Sequence, residues 1–482
     1  MSEAVVVGAG PNGLAAAVTL ARAGLRVHVF ERNDTIGGGA RTKELTLPGF
    51  LHDVCSAVHP MALASAFFRA FELERRIELR QPEISYGHPI DGGRAGLAYP
   101  DIERTVAELG VDGPAFRALM GPMSAHADAV SSFTGSALLR VPHHPITTVR
   151  FGLRVLEQGS PAWDARFEDV VAPAMISGVG AHAILPMPSP ATAAAAFSLG
   201  AYAHARGWPI PVGGSQVIVD ALAADLIDHG GTIVTNTEIR SIDELPPADL
   251  VMFDTTPRAL VEIAGTRLPD RYRRSLRRFR YGNGVAKVDF ALDAPVPWTN
   301  PGLRAAGTVH VGGTRAEIAA AERAISRGRH SDFPFVLASE PTIVDPSRAP
   351  EGRHVLWTYC HVPAGSTIDQ TETVIRQIER FAPGFRDTIL ASASHTAMDM
   401  ERYNPNYVAG DIAAGKATVR QLLARPTVSP TPWRTPARGI YLCSESTPPG
   451  PGVHGLAGWH AARTALRDRF GQTEGPDLGI GR

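Results

Sequence analysis

The sequence predicts an α/β fold with two domains, one of them assembled from segments that lie far apart in the chain. Three observations lead to this prediction. The 482 residues are too many for a single hydrophobic core. A strand, a glycine turn, a helix and a second strand follow one another within the first thirty residues. Another strand, glycine-rich turn and helix stand close to residue 450.

The opening segment has the pattern of a nucleotide-binding βαβ unit. Ala4–Val7 has the composition of a buried strand, and Leu14–Ala23 is a strong helix sequence without interior glycine or proline. Leu25–Phe30 alternates as a second strand does, and Glu31 follows it directly. Strand, helix, strand and terminal acid in this order predict a Rossmann-type domain.

The turn between the first strand and the helix reads GAGPNG and matches G-x-G-x-x-G. Gly8 permits the tight turn, and Gly10 lets a pyrophosphate approach the backbone. Gly13 allows the helix to pack closely on the strand, and the helix N-terminus faces the phosphates. Glu31, 18 residues after Gly13, is placed to bind the ribose hydroxyls and disfavours a ribose 2′-phosphate.

The segment after Glu31 favours FAD over NAD. It reads RNDTIGGGART and contains Arg32, a second glycine cluster that includes Gly38 and Gly39, and then Arg41. FAD runs along more backbone than NAD does; glycines let that backbone come close, and an arginine supplies positive charge near the flavin or pyrophosphate. A flexible surface loop is the alternative reading of the glycines.

These motifs resemble the N-terminus of phytoene desaturase-like and amine oxidase-like flavoproteins. The segment GIYLCSESTPPGPGVHGLAGWHAA, Gly439–Ala462, resembles the closing FAD motif of the carotenoid desaturases. The resemblance implies a strand over Ile440–Cys443, a polar turn that contains Glu445, and a P-G-x-G-V-x-G segment with a final helix over Pro449–Leu466, of which Ala457–Leu466 is a good helix sequence. Several central segments resemble the branch of pyridine nucleotide-disulphide oxidoreductase domain flavoproteins, but this chain has no closely spaced cysteine pair and we expect no disulphide chemistry.

The closing motif also implies contacts with the flavin. The resemblance places Val453, His454 and Gly455 at a helix N-terminus that faces the flavin, where negative charge collects when the ring is reduced. His454 is therefore the candidate for catalysis as well as for cofactor binding. A polar contact that only caps the helix start is the other reading of His454.

The middle of the chain predicts a return to the cofactor domain. A helix is predicted from Gln216 to His229, followed by two short strands in TIVTNTEIRSI and a third in ADLVMFDTTP. The resemblance implies that backbone near Ile239 lies against the adenine. Strands over Val285–Leu292 and Val355–Tyr359 predict a separate mixed sheet, with helices over Arg315–Ser326 and Gln370–Phe381.

We therefore predict a discontinuous Rossmann-type FAD-binding domain and an α+β substrate domain built on that mixed sheet. The FAD-binding domain comprises residues 1–70, 207–275 and 433–482, and the substrate domain comprises residues 71–206 and 276–432.

Other side chains are weaker candidates. His182 is expected to make a structural hydrogen bond, and Lys287 and Asp289 to form an ion pair. Asp53, Ser56 and His59 follow the arginine segment and are expected near the flavin. No sequence cluster predicts a metal site.

The sequence leaves three functions open. The first is an FAD-dependent dehydrogenase or desaturase that oxidises a C–C bond of a lipophilic substrate, an isoprenoid being one candidate, with oxygen, a quinone or another acceptor reoxidising the flavin. The second is an FAD amine oxidase, for which Trp433 and Trp459 could supply flanking aromatics. The third is a non-catalytic flavoprotein scaffold.

The overall composition limits the partners. The net charge of −1 gives no footprint for nucleic acid, and the basic stretch Arg271–Arg280 is expected to be a solvated helix face. A peripheral membrane contact stays open. Three cysteines and no signal-peptide pattern predict a cytoplasmic protein of unknown oligomeric state.

Overall fold

The structure is a computed structural model that describes residues 2–481. The strands in this range are β1 (Glu3–Val7), β2 (Arg26–Phe30), β3 (Thr42–Glu44), β4 (Leu51–Asp53), β5 (Leu79–Arg80), β6 (Ile84–Ile90), β7 (Arg94–Ala98), β8 (Ile210–Pro211), β9 (Thr232–Val234), β10 (Leu250–Phe253), β11 (Gly284–Leu292), β12 (Ala306–Val311), β13 (Val336–Ser339), β14 (His354–Val362), β15 (Ile389–His395) and β16 (Ile440–Leu442).

The α-helices in the same range are α1 (Pro11–Arg22), α2 (Pro60–Ala64), α3 (Ala66–Ala70), α4 (Ile102–Glu108), α5 (Gly113–Ala125), α6 (Ala127–Thr134), α7 (Pro145–Glu157), α8 (Pro161–Asp164), α9 (Val171–Gly180), α10 (Pro190–Arg206), α11 (Gln216–Asp228), α12 (Pro257–Ala264), α13 (Asp270–Leu276), α14 (Arg315–Ser326), α15 (Thr371–Glu379), α16 (Ala397–Tyr403), α17 (Val419–Leu423) and α18 (Leu456–Phe470).

A five-stranded parallel sheet has the order β16-β10-β1-β2-β9. Its central strand is buried on both faces: Ala4, Val5 and Val6 are fully buried. Helices α1, α11 and α18 cover one face, and α12 and α13 cover the other. This doubly covered parallel sheet confirms the predicted Rossmann-type fold.

The first and last helices of this domain lie in direct contact. A Cβ atom built on Gly458 of α18 would lie 1.8 Å from the carbonyl oxygen of Asn12 in α1, so only glycine fits there. The closing segment is therefore an integral part of the domain that the opening segment begins.

A seven-stranded mixed sheet has the order β15-β11-β14-β13-β12-β6-β7 and confirms the second predicted sheet. Its neighbours are antiparallel except for β12 and β6. Alternate residues of β14 face opposite ways: Leu356 and Cys360 pack in the cluster that contains α15, whereas Trp357 and Tyr359 face away from it. A layer formed mainly by α5, α6, α7, α9 and α10 has its own core.

The strands of the parallel sheet fall inside the segments predicted for the FAD-binding domain, and those of the mixed sheet inside the segments predicted for the substrate domain. The exact domain boundaries stay a prediction. Over residues 2–481, no helix has both the length and the apolar character needed to cross a bilayer.

One prediction of secondary structure was wrong. The segment after β9 forms no second strand, because Asn236 adopts a φ of 52° and the Thr237 N–H bonds back to the Glu31 carbonyl at 2.8 Å. The final helix starts at Leu456, after the glycine-rich segment that follows β16, which agrees with the helix predicted over Ala457–Leu466. The intervening Gly450 and Gly452 have φ of 112° and 126°, which excludes helix there.

Candidate functional site

A polar cleft of about 170 Å³ opens at the carboxyl ends of the parallel strands. Around the glycine turn it is lined by residues from five further segments: Glu31, Arg32, Asn33, Gly38, Gly39 and Arg41; Thr237, Glu238 and Ile239; Asp254, Thr255 and Thr256; Asn404, Asn406 and Tyr407; and Ser444, Glu445 and Ser446. The carboxyl edge of a parallel sheet is where open α/β proteins bind nucleotides.

The glycine turn leaves no room for side chains. A Cβ on Gly10 would lie 2.7 Å from Asp254 Oδ2, and one on Gly13 would lie 2.2 Å from the Gly8 carbonyl oxygen. Gly8 and Gly10 line the cleft, while Gly13 lies just inside α1 and donates its N–H to Asp254 Oδ2 at 2.9 Å. The bare backbone and the start of α1 fit a diphosphate.

Glu31 joins the turn to the following loop. Its carboxylate accepts the N–H of Ala9 at 3.0 Å and that of Asn33 at 2.9 Å. Arg41 Nη2 donates to the same carboxylate at 3.1 Å and to the Thr35 carbonyl at 2.7 Å. Arg41 is 1% exposed, yet its Nη1 has no partner within residues 2–481. This buried, unpartnered donor at the cleft fits an anionic cofactor group.

Asp254, which the sequence analysis missed, lies directly beneath the glycine turn at the end of β10. Burial raises its pKa to about 7, against the opposing effect of the Gly13 N–H, and the Glu31 charge raises it further. Burial, followed by the charge of Asp254, raises the pKa of Glu445 to about 8. The cleft therefore carries less negative charge near neutral pH than its carboxyl groups alone suggest.

A second cavity, of about 410 Å³ and mainly apolar, adjoins the cleft. Pro11, Gly39, Tyr407 and Glu445 line both. Further lining comes from the mixed sheet, the helical layer, the segment around residue 58 and the closing segment: Leu337, Trp357 and Tyr359; Phe133, Phe151, Leu199 and Tyr202; Ser56, His59 and Met61; and Gly452 and Val453. The two spaces fit an elongated cofactor with a polar and an aromatic end beside a small-molecule substrate.

His182 is on the wall of this apolar cavity. Its Nε2 lies 3.0 Å from Nε2 of His310, a fully buried residue of β12. Burial, with a smaller effect of His361, lowers the pKa of His182 to about 4. His182 is partly exposed, and its hydrogen bond to His310 uses Nε2 and leaves Nδ1 out. Its remaining ring nitrogen is thus available to a ligand.

His59 and Ser56 also line the cavity, as expected from their place after the arginine segment. Ser215 Oγ donates to the Ser56 carbonyl, so His59 Nε2 donates to Ser215 Oγ at 2.8 Å. The His59 Nδ1 is buried, has no hydrogen-bond partner among residues 2–481, and has no surface open to the cavity. This histidine is therefore less accessible than His182.

His454 lies where the sequence predicts but does not line either space. It is fully buried. Its Nδ1 accepts the Leu456 N–H at 3.0 Å, which leaves Nε2 to donate to the Gly450 carbonyl at 3.1 Å. Both nitrogens are occupied, so the geometry argues against the predicted catalytic role and favours the capping alternative. Val453 lines the apolar cavity, whereas a Cβ on Gly455 would lie 2.4 Å from Phe67.

The remaining candidates are structural. Asp53 pairs with Arg348 at 2.9 Å, both fully buried, and Lys287 pairs with Asp289 as expected. Trp433 and Trp459 line neither space, so they do not flank a substrate. No group of histidine, cysteine, aspartate or glutamate in the described range could hold a metal ion.

The fold and the cleft define a class: the chain has the two-domain fold of the FAD-dependent oxidoreductases. Residues 6–71 match the NAD(P)-binding Rossmann-like domain family. The chain is 26% identical to rat pyridine nucleotide-disulfide oxidoreductase domain-containing protein 2, over 97% of this chain and 93% of that protein. It is 24% identical to the neurosporene-forming phytoene desaturase of Rhodobacter capsulatus, over 95% and 92% of the two chains.

The solved structure of wild-type putrescine oxidase bound to putrescine superposes with a TM-score of 0.59 at 18% identity, over 98% of this chain and 99% of that one. At that identity the likeness concerns the fold. Together these findings confirm the predicted resemblance and fold class, and FAD as the cofactor at the level of this superfamily. Contact of individual cleft residues with FAD stays a prediction.

Proposed function

We propose that this protein is an FAD-dependent dehydrogenase or desaturase that oxidises a C–C bond of a lipophilic substrate. The observation that carries the proposal is the apolar cavity of about 410 Å³, which shares four lining residues with the polar cleft. A substrate in this cavity lies beside the end of the cleft that bears Gly39, Tyr407 and Glu445.

Different residues of the chain bind different parts of the cofactor and the substrate. The glycine turn and Arg41 hold the diphosphate, Glu31 the adenosine ribose, and backbone at Ile239 lies against the adenine. FAD, when bound, supplies the hydride acceptor. Trp357 and Tyr359 position an apolar substrate and exclude water from it.

His182 is the proposed proton acceptor. In the tautomer in which His182 Nε2–H donates to His310 Nε2, the His182 Nδ1 carries a lone pair that can take a proton from the substrate. The new proton leaves His182 positively charged, and the neutral His310 ring stabilises that charge by accepting its Nε2–H. The low pKa keeps His182 neutral, hence competent as a base, around pH 7.

Oxidation of an amine is a second candidate function. Trp357 and Tyr359 lie edge to face with ring centroids 5.2 Å apart on the cavity wall, an aromatic pair that suits an amine as well as an apolar chain. Oxygen, a quinone or another acceptor would reoxidise the flavin in either case.

Anaerobic mixing of the purified holoprotein with polyenes and with amines, followed by flavin absorbance, tests both candidates. We expect polyenes or similar apolar substrates to bleach the flavin. Bleaching by amines alone would establish the second candidate. A flavin that none of these compounds reduces would favour the scaffold hypothesis.

A further inference from the structure

Helix α7 exposes an apolar face instead of burying it. Ile146, Val149, Leu153 and Leu156 are 77%, 61%, 62% and 68% exposed, and their spacing places them on one side of the helix. Phe151, on the other side, is buried against Phe133 with ring centroids 5.1 Å apart. A water-exposed helix normally shows the reverse arrangement.

The loop before α7 continues this surface. Leu138 and Leu139 are 38% and 40% exposed, and Val141 is 88% exposed. We call residues 138–156 the α7 surface. So many neighbouring exposed apolar side chains mark an interaction site rather than ordinary protein surface.

The α7 surface contains arginines but no acidic residues. Arg140, Arg150 and Arg154 lie within it, and residues 135–156 contain no aspartate or glutamate. Glu157, the next acidic residue, pairs with Arg154 at 2.5 Å. Arg140 and Arg150 have no acidic partner within residues 2–481. An apolar face edged with unpaired arginines is complementary to an anionic lipid surface.

The α7 surface also borders the apolar cavity. Leu138 lines that cavity although it is exposed, so the cavity reaches the outside at this point. Phe151 lines the cavity from the inner side of α7. One helix thus separates the cavity from the exposed apolar face.

We propose that the α7 surface binds an anionic lipid bilayer, with the mouth of the apolar cavity against the membrane. A lipophilic substrate can then pass from the bilayer into the cavity without crossing water. Binding itself does not depend on the proposed oxidation, although the route for the substrate rests on it. The basic stretch Arg271–Arg280 is not part of this surface.

Flotation of the FAD-loaded protein with vesicles of phosphatidylcholine, alone or mixed with phosphatidylserine, tests the proposal. We expect binding to the mixed vesicles that weakens in high salt, with each arginine contributing about fivefold to the partitioning. The double variant Ile146→Ser/Leu153→Ser should bind at least about tenfold more weakly, because two exposed apolar side chains no longer enter the bilayer.

The matched control is Ile227→Ser/Ile368→Ser, which alters two side chains that are 57% and 56% exposed elsewhere on the protein. This control should bind vesicles as the wild type does, and both double variants should retain the yellow colour of bound flavin. A wild type that does not float with mixed vesicles would overturn the proposal. So would a dimer in vesicle-free solution that Ile146→Ser/Leu153→Ser turns into a monomer, since the surface would then bind a second copy. If a soluble substrate reduced the flavin normally but the protein did not bind vesicles, membrane binding would be rejected and the proposed oxidation would stand.

Discussion

The Nε2 atoms of His182 and His310 lie 3.0 Å apart at the wall of the apolar cavity, so one of the two rings donates and the other accepts. His182→Gln should slow anaerobic flavin reduction by about 10²- to 10⁴-fold, because the proton acceptor is lost. Stopped-flow absorbance measures the rate constant. His59→Gln should slow flavin reduction much less, because the Nδ1 of His59 has no surface open to the cavity. His126→Gln, at an exposed position, should leave the rate constant unchanged.

The pH dependence of the same step provides a separate test. A histidine of ordinary pKa would lose its base form as the pH falls through 6.5, but burial lowers the pKa of His182 to about 4. The rate constant should therefore stay level through pH 6.5 and fall only towards pH 4, because His182 is neutral above its pKa. A His182-dependent step centred near 6.5 would contradict the assignment.

Glu31→Ala should weaken FAD binding on the order of tenfold to a hundredfold. The change leaves the Ala9 and Asn33 N–H groups without their acceptor, leaves Arg41 Nη2 with the Thr35 carbonyl as its remaining acceptor, and removes the proposed ribose contact. Absorbance of bound flavin after dialysis, together with a titration of the apoprotein, measures the loss. Asp243→Ala, an exposed acid in the same domain, is the control. Equal retention in both variants would place the ribose elsewhere.

Asp254→Asn should stabilise the apoprotein at pH 8. Burial raises the pKa of Asp254 from 3.8 to about 7, so the folded state holds its proton more tightly than the unfolded state does. This stabilisation is complete below pH 3.8 and is lost as the pH rises to about 7. The neutral amide of the variant avoids this loss, which amounts to up to about 4 kcal/mol in the free energy of unfolding. Urea unfolding of both proteins should show a difference at pH 8 that shrinks towards pH 4; a constant difference would contradict it.

Gly458→Ala should destabilise the cofactor domain by about 1–3 kcal/mol or more, because its Cβ would overlap the Asn12 carbonyl oxygen. Thermal unfolding and flavin retention should both decline. Gly152→Ala, in α7 with no atom within 4 Å of the added Cβ, should be neutral or slightly stabilising. If Gly458→Ala also left stability unchanged, the close packing of α1 and α18 would be wrong.

Most of the fold could be predicted from local sequence patterns. The βαβ unit was readable because glycine turn, helix and Glu31 lie within one short segment. The extent of α14, Arg315–Ser326, agrees with its predicted range. The false strand after β9 was an error about backbone conformation at Asn236, and Gly450 and Gly452 adopt positive φ in the segment before the last helix. Neither conformation follows from hydrophobic periodicity.

The site was less predictable because it depends on contacts between distant segments. The sequence offers one signal for Asp254, namely an acid directly after a buried strand. Its position under Gly13, however, can be inferred only when the strand order of the parallel sheet is known. His182 was recognised, yet its partner His310 lies 128 residues further along the chain. Strand alternation separates Trp357 and Tyr359 from Leu356, but it does not reveal which face borders a cavity.

The contact between Gly458 and Asn12 has a consequence for how the protein is made. During synthesis, β1 and α1 leave the ribosome long before β16 and α18, which complete their domain. Until then α1 exposes the side that α18 later covers. We therefore expect the nascent chain to need protection of this surface, and we expect stable FAD binding only after translation has passed residue 470. We expect a premature stop codon before α18 to yield colourless protein rather than a shortened enzyme.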